Sequence, residues 1–381
     1  MFQSTIDDSK PDHIYLDCLV SNSSDANTPS TFLTFTEIRD QAILDVCSEY
    51  YLCIERFYLE TSNLPLLLMP ILTGQTDVNK SSLSVTMTYK GYQYQQYLHY
   101  VPSNLSVGSP NTPLVSVDYS TTYYDIYSYQ NFIKMLNYAF IQCYKGLSIT
   151  AGQGGFPLPS AYPPYMEFDP NAEKAILNAD ILGYDQSLFN PISIYMNSPL
   201  FQLFSSFDAT FYGSTNIVNG MNYMLNVYAF PNSGNVFSVT QPTAINYLQC
   251  YQEYPTLKVV GTPVSSIVFT TNMIPVSGTL VSTPVIFNST STGQQTSNSA
   301  VSNMLTDITV GLTLGFEYKP NIIYNANPFR LISMQSEAPL RQYDISVFYK
   351  LHNGILRAFF LSPGSVSSIK IAFIKKSAKH L

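Results

Sequence analysis

Short strand-like runs dominate this 381-residue chain, and in some of them apolar and polar residues alternate with period two. The alternation is cleanest near the C-terminal end. In VSSIKIAFIKK (366–376), Ile369, Ile371 and Phe373 fall on one side and Ser368, Lys370, Ala372 and Ile374 on the other. That pattern predicts a strand with one fully apolar face. Ser362-Pro363-Gly364 just before it predicts a turn that folds it back towards ILRAFFL (355–361). LRQYDISVFYK and ILRAFFL are joined by His352-Asn353-Gly354, and Asn-Gly accepts the positive φ angles of a tight hairpin. Further runs read as strands: HIYLDCLV (13–20), YYLCIERFYLE (50–60), IVFTTNMIPV (267–276), GLTLGFEY (311–318) and NPFRLISMQ (327–335). In YYLCIERFYLE, plain alternation puts Tyr51, Cys53, Phe57 and Leu59 on one side. LSVTMTY (83–89) and YQYQQYLHYV (92–101) form a hairpin about Lys90-Gly91.

Helical spacing is rare. SYQNFIKMLNYAFIQCYKG (128–146) carries Phe132, Met135, Leu136, Ala139, Phe140 and Cys143 on one stripe, with Ser128 as N-cap and Gly146 where a helix stops. Ser198-Pro199 opens a short helix over 198–207, and 36–46 is a weaker candidate. The Gly- and Pro-rich stretch 151–165 and the polar run 288–300 predict loops.

Composition strengthens the β reading. The chain has 30 Tyr and 23 Phe, no Trp, and only 11% charged residues against ~25% in an average soluble domain. Aromatic and β-branched residues suit a pleated, half-buried surface. Charge is uneven. Arg341, Lys350, Arg357, Lys370, Lys375, Lys376 and Lys379 face one acid, Asp344, within 341–381, so the chain's −7 divides into +6 there and −13 before it. The body should repel nucleic acid, and only the C-terminal end could attract it. Five cysteines, none in a CxxC, are expected to be reduced and buried in an intracellular protein. The start carries no secretory pattern. LPLLLMPIL (64–72) is the longest apolar run, short of the ~20 residues a spanning helix needs.

No catalytic constellation emerges. Gly152, Gly154 and Gly155 lead into Phe-Pro-Leu-Pro, not into a phosphate-binding helix. His13, His99, His352 and His380 are too dispersed for a metal site. A GxSxG elbow is absent, and Cys47 has no local partner. The reading is therefore of a non-enzyme, with no catalytic, cofactor-binding or metal residues and no cofactor. The tyrosine runs 89–100 and 120–129 lack the interleaved Lys and Arg of a nucleic-acid platform. They read as strands packing a core or a subunit neighbour, with a sugar platform as the alternative.

PFRLISMQSEAPLRQYDISVFYK through GILRAFFLSPGSVSSIKIAFIKK resembles the C-terminal part of minor capsid (penton) proteins of Sputnik-type virophages and related polinton-like elements. YYDIYSYQNFIKMLNYAF, ISIYMNSPLFQLFSSF and IVFTTNMIPV fit the same family in the same order. The resemblance implies an all-β fold: a single jelly roll of the viral capsid type, with an inserted mainly-β domain holding one or two short helices. The expected division is residues 1–105 and 255–381 for the jelly roll and 106–254 for the insertion. It further implies a structural protein of the virion, assembled in host cytoplasm. Homopentamers would occupy the five-fold vertices of an icosahedral double-stranded DNA virus, beside double-jelly-roll major capsid proteins. The alternative is a carbohydrate-binding or host-attachment module on a jelly roll, taking a host-surface glycan. Lys375, Lys376 and Lys379 are the candidates for contact with genome or internal membrane.

Overall fold

A computed structural model describes residues 11–24, 31–60, 64–72, 77, 79–101, 123–213, 220–229, 236–240, 246–261, 263–276, 279–281, 302–309, 321–326, 330–352, 354 and 356–378. These fall into two compact units, one taking the described residues up to Leu64 and from Val264 onward, the other those between Pro65 and Pro263.

The first unit is a sandwich of eight principal strands: β1 (His13–Ser21), β2 (Thr34–Ile38), β3 (Tyr50–Glu60), β4 (Val264–Thr271), β5 (Ser302–Thr309), β6 (Asn321–Asn325), β7 (Gln342–Leu351) and β8 (Val366–Lys375). Sheet one runs β1-β8-β3-β6, and sheet two runs β2-β7-β4-β5, all antiparallel. Early and late strands interleave in both sheets, and the chain changes sheet at every step except β4 to β5. This is the jelly-roll topology. Residues 61–263 enter as one excursion between β3 and β4.

The stretch 366–376 is thus a central strand. β8 pairs along its length with β1 on one side and β3 on the other. Ile369, Ile371 and Phe373 are buried as the alternation requires. The expected fold-back onto 355–361 does not occur. Leu356–Ala358 pairs with β7, and Phe360–Leu361 pairs with Thr31–Phe32. Two long neighbours offer β8 a full hydrogen-bond ladder, whereas the short broken runs at 356–361 cannot. The hairpin through Gly354, at φ 85°, forms as expected; Asn353 lies outside the described residues.

Opposite β8, Lys370 faces Arg56 while Ile371 faces Ile54, leaving Glu55 as a bulge residue. The bulge reverses the parity of β3. Leu52, Ile54, Phe57 and Leu59 share the core side, not Tyr51 and Cys53 with Phe57 as plain alternation predicts. Between the sheets the Phe57 and Phe269 rings meet edge-on. β4 stops at Thr271, earlier than expected. There the Asp344 carboxylate accepts from Thr271 Oγ1 at 2.6 Å and from the amides of Asn272 and Met273, bending the chain away. The weak helix candidate at 36–46 is absent: β2 ends at Ile38, and Leu44 bridges Leu340. The run 311–318 lies outside the described residues, as does 288–300.

The described residues of the second unit hold helix α1 (Tyr129–Gln153), a two-stranded ribbon of Leu67–Pro70 with Tyr123–Ile126, and two larger sheets. One sheet is led by the hairpin Lys80–Tyr89/Tyr92–His99, turning through Lys90 (φ 47°) and Gly91 (φ 82°), and adds Ser193–Met196, Tyr223–Leu225 and Ala209–Phe211. The other runs Val236–Thr240, Asn246–Tyr251, Lys174–Asp180, Tyr165–Asp169. Ser128 Oγ caps α1 by accepting from the Asn131 amide. The predicted stripe from Phe132 to Cys143 is buried. Gly146 does not end the helix. It lies against the Tyr94 ring, where a Cβ would not fit, and α1 continues to Gln153. The insertion therefore contains a long helix beside its short ones. The short helix Ser198–Leu203 is capped by Asn197, whose Oδ1 accepts from Leu200 N. The hairpin 80–99 falls in this unit with the other described residues between 65 and 101, whereas the division expected from the resemblance groups them with the jelly roll. Its first strand pairs with Ser193–Met196, and its second packs on α1.

Candidate functional surface

The residues that invite chemistry are dispersed through the two units. Gly152, Gly154 and Gly155 close α1 at its C-terminal end, with Gly155 N donating to Gly152 O. They offer no helix N-terminus to a phosphate. His13 stacks on Tyr15, His99 Nε2 lies 3.2 Å from Asp77 Oδ2, and His352 sits in the hairpin turn. His380 lies outside the described residues. Among the described residues no three His, Cys, Asp or Glu side chains gather as metal ligands.

The cysteines form no disulfide. Burial pushes the thiols of Cys53, Cys143 and Cys250 up to about 12, and that of Cys47 upward too. A thiol held protonated is a poor nucleophile. Cys18 lies 2.8 Å from Tyr343 Oη, which donates to Glu37 Oε2 at 2.8 Å. This chain links β1 to β7 and β2 across the sandwich. Burial of Tyr343, reinforced by those two partners, drives its hydroxyl pKa far upward, so the phenol acts as a fixed donor.

The tyrosine runs are mainly packing. Tyr100 and Tyr124 stack at 4.3 Å between centroids and 4° between planes, both buried, and Tyr89 and Tyr129 are buried too. Beside α1 lies an open groove of about 370 Å³, lined in part by Gln130, Lys134, Asn137, Glu167 and Asp169. Asn137 is already occupied there. Its Nδ2 donates to Met166 O at 2.8 Å and its Oδ1 accepts from Met166 N at 2.6 Å, so it stands in for a neighbouring strand.

At the basic end, Lys376 Nζ donates to Met334 O at 3.1 Å and lies over the Tyr51 ring. Lys370 Nζ lies 3.3 Å from Glu55 Oε2 and over the Tyr15 ring. These cations help hold sheet one together; Lys379 lies outside the described residues. Neither the Asp344 brace nor the Asn137 pairing was foreseen. Both depend on residues distant in sequence, and nothing local marks them.

A single jelly roll built from both ends of a chain, with a large insertion between its third and fourth strands, belongs to the class of jelly-roll proteins that includes viral capsid subunits. The particular kind follows from relatives. Residues 14–375 match the family of the Sputnik minor capsid protein V18/19, and the chain belongs to that family. It is 31% identical to structural protein V19 of Sputnik virophage over 223 residues, 56% of this chain and 95% of that protein. It is 32% identical to the uncharacterized protein V18 of the same virophage over 152 residues, 38% of this chain and 89% of that one. The cryo-EM structure of the Sputnik virophage contains a chain similar over 98% of this one and all of its own, at TM-score 0.76 and 28% identity. The crystal structure of the mavirus penton protein shares the fold, at TM-score 0.57 and 16% identity over 95% of this chain and 99% of its own. The chain is thus a structural minor capsid protein of the virion, assembling there with other capsid proteins, and not an enzyme.

Proposed function

We propose that the chain is a penton. Five copies close a ring at each five-fold vertex of an icosahedral double-stranded DNA virion, beside major capsid proteins of the double-jelly-roll type. The observation that carries this is the single jelly roll with its large excursion at the β3 to β4 connection, an architecture similar over nearly the whole chain to the mavirus penton protein. A ring of identical subunits needs heterologous contacts, two unlike patches repeated until rotation closes. Low charge limits repulsion among crowded copies. Native mass spectrometry of the purified chain, with localisation in virions by electron microscopy, tests the reading. Pentamers and vertex density are expected; a monomer absent from vertices overturns it.

For the basic end, Lys375, Lys376 and Lys379 present positive charge to genome or internal membrane. Replacing all three with Ser is expected to lower genome retention in particles, and unchanged retention removes that role. A glycan-attachment role is not favoured, because Tyr100 and Tyr124 are stacked inside a core.

A further inference from the structure

The turn at Lys90-Gly91 marks one end of the second unit, and two further connections meet it there. Thr88 pairs with Ser193, so the loop 185–191 arrives beside the turn. The Phe156 ring lies 6.0 Å from that of Tyr92, and Lys90 Nζ lies 4.9 Å from the Phe156 centroid, so the loop that follows α1 arrives there too. Buried polar groups pin the two loops to each other. Asp180 accepts from Ser160 Oγ at 2.6 Å and from Leu182 N at 3.0 Å, and Tyr144 Oη donates to Ser160 O at 2.6 Å. Gly183 packs on Ser160, where a Cβ would not fit, and Ile192 N donates to Gly183 O. What this framework displays is apolar and open. Phe189 is 96% exposed, Leu182 71%, Tyr162 44% and Phe156 40%. Asn190, at φ 59°, turns the chain just after Phe189. Large apolar side chains this open on a pinned framework are not explained by the unit's own folding.

We propose that this end binds lipid, immersing Phe189, Leu182, Tyr162 and Phe156 in the interfacial layer of a bilayer. The inference goes beyond the penton reading and does not rest on it. Three observations choose the occupant. The first is charge. Asp180 and Asp185 on these loops are buried, and Asp208, exposed beside the edge strand Ala209–Phe211, is taken by Asn226 Nδ2 at 3.0 Å. The exposed charge among the tips is Lys90, a cation against an aromatic ring, which suits a headgroup layer. The second is the backbone. Pro157, Pro159, Pro163 and Pro191 have no N–H to desolvate, and the amides of Phe156, Gln186 and Leu188 donate to the carbonyls of Ala151, Val227 and Asp185. Both features lower the cost of leaving water. The third is shape. The apolar groups stand on separate connections, so a protein partner would need a matching pocket for each, whereas a fluid interface needs none. Nucleic acid would need more than one exposed cation.

Flotation of the full chain with phosphatidylcholine vesicles, over a lipid series at low and high salt, tests the proposal, and thermal unfolding reads folding. Wild type is expected to float, with little effect of salt because apolar burial carries the binding. Phe189→Ser should keep the wild-type melting temperature and lower the partition coefficient at least about tenfold, and adding Leu182→Ser should lower it further. Ile323→Ser, an exposed apolar change in the first unit, is the control and should float as wild type does. So should a chain with Lys375, Lys376 and Lys379 all replaced by Ser, which separates this end from the basic one. Should a Ser variant unfold, an environment-sensitive fluorophore on Phe189→Cys reads immersion directly, by a blue shift when vesicles are added. A folded double variant that floats as wild type does, or a fluorophore that does not shift, overturns the site. Binding abolished by high salt overturns the apolar mode. A wild-type chain that stays unbound at every lipid concentration overturns lipid as the occupant and leaves the tips to a protein partner.

Discussion

The ring of Phe57 meets that of Phe269 at 4.7 Å between centroids and 88° between planes. Phe57 lies on β3, just before the excursion, and Phe269 on β4, where the chain returns. Both are fully buried. The pair locks the two sheets at the point where the insertion leaves and re-enters the sandwich. Phe57→Ala or Phe269→Ala is expected to destabilise the first unit by about 3–5 kcal/mol, and Phe57→Leu by clearly less. Urea unfolding monitored by hydrogen exchange of β8 amides checks this; an Ala variant within experimental error of wild type contradicts it.

Asp344 holds the end of β4. It is buried and accepts from one hydroxyl and two backbone amides. Asp344→Ala leaves those donors without an acceptor, at an expected cost of about 2–3 kcal/mol. Asp344→Asn should recover part of it by keeping one carbonyl oxygen. The midpoint of chemical unfolding for the two variants decides the order, and equal midpoints would remove the brace.

Gly146 gives a prediction in which the sign matters. Glycine inside a helix normally costs ~1 kcal/mol relative to alanine, so propensity alone makes Gly146→Ala stabilising. The Tyr94 ring occupies the space a Cβ needs, and overpacking of this kind costs about 1–3 kcal/mol. Gly146→Ala is expected to lower the melting temperature, and Tyr94→Ala in the same chain to make the alanine favourable relative to glycine. A double-mutant cycle without coupling refutes the contact.

The buried thiols set a pH dependence. Cys53, Cys143 and Cys250 are raised by burial from 9.0 to about 12. Between those values the unfolded chain releases protons that the folded chain retains. Stability is therefore full below about pH 9 and falls as pH rises towards about 12. Urea midpoints at pH 8 and pH 10.5 should show the drop. At pH 8 the folded thiols should also resist alkylation, since a three-unit shift lowers the thiolate fraction about a thousandfold. Rapid labelling of Cys143 in the folded chain would contradict the burial.

Much of the sandwich is legible in the sequence. β3 and β8 announce themselves by alternation, β1 and β7 as strand-like runs, and the hairpin turns at Lys90-Gly91 and Asn353-Gly354 by their need for positive φ. The stripe of α1 is legible because 3.6-residue spacing repeats over about three turns, from Phe132 to Cys143. What was misread was local evidence overruled by distant partners. Gly146 looks like a helix end until Tyr94 occupies its missing side chain. YYLCIERFYLE looks evenly alternating until pairing with β8 leaves Glu55 over and reverses the inward face. The turn at 362–364 looks like a hairpin until two better ladders compete for the strand that follows.

Hydrophobic period, turn chemistry and low charge, all properties of residues within a few positions of each other, determined by themselves that this is a strand-rich protein with one long helix face and no local catalytic motif. Only the tertiary structure decided which strands share a sheet, where the excursion leaves the sandwich, and that Leu19 and Ile323, 304 positions apart, stand in one row across sheet one. Antiparallel pairing is settled by the total burial and hydrogen bonding of every competing register at once, a sum over the whole chain that no single segment records.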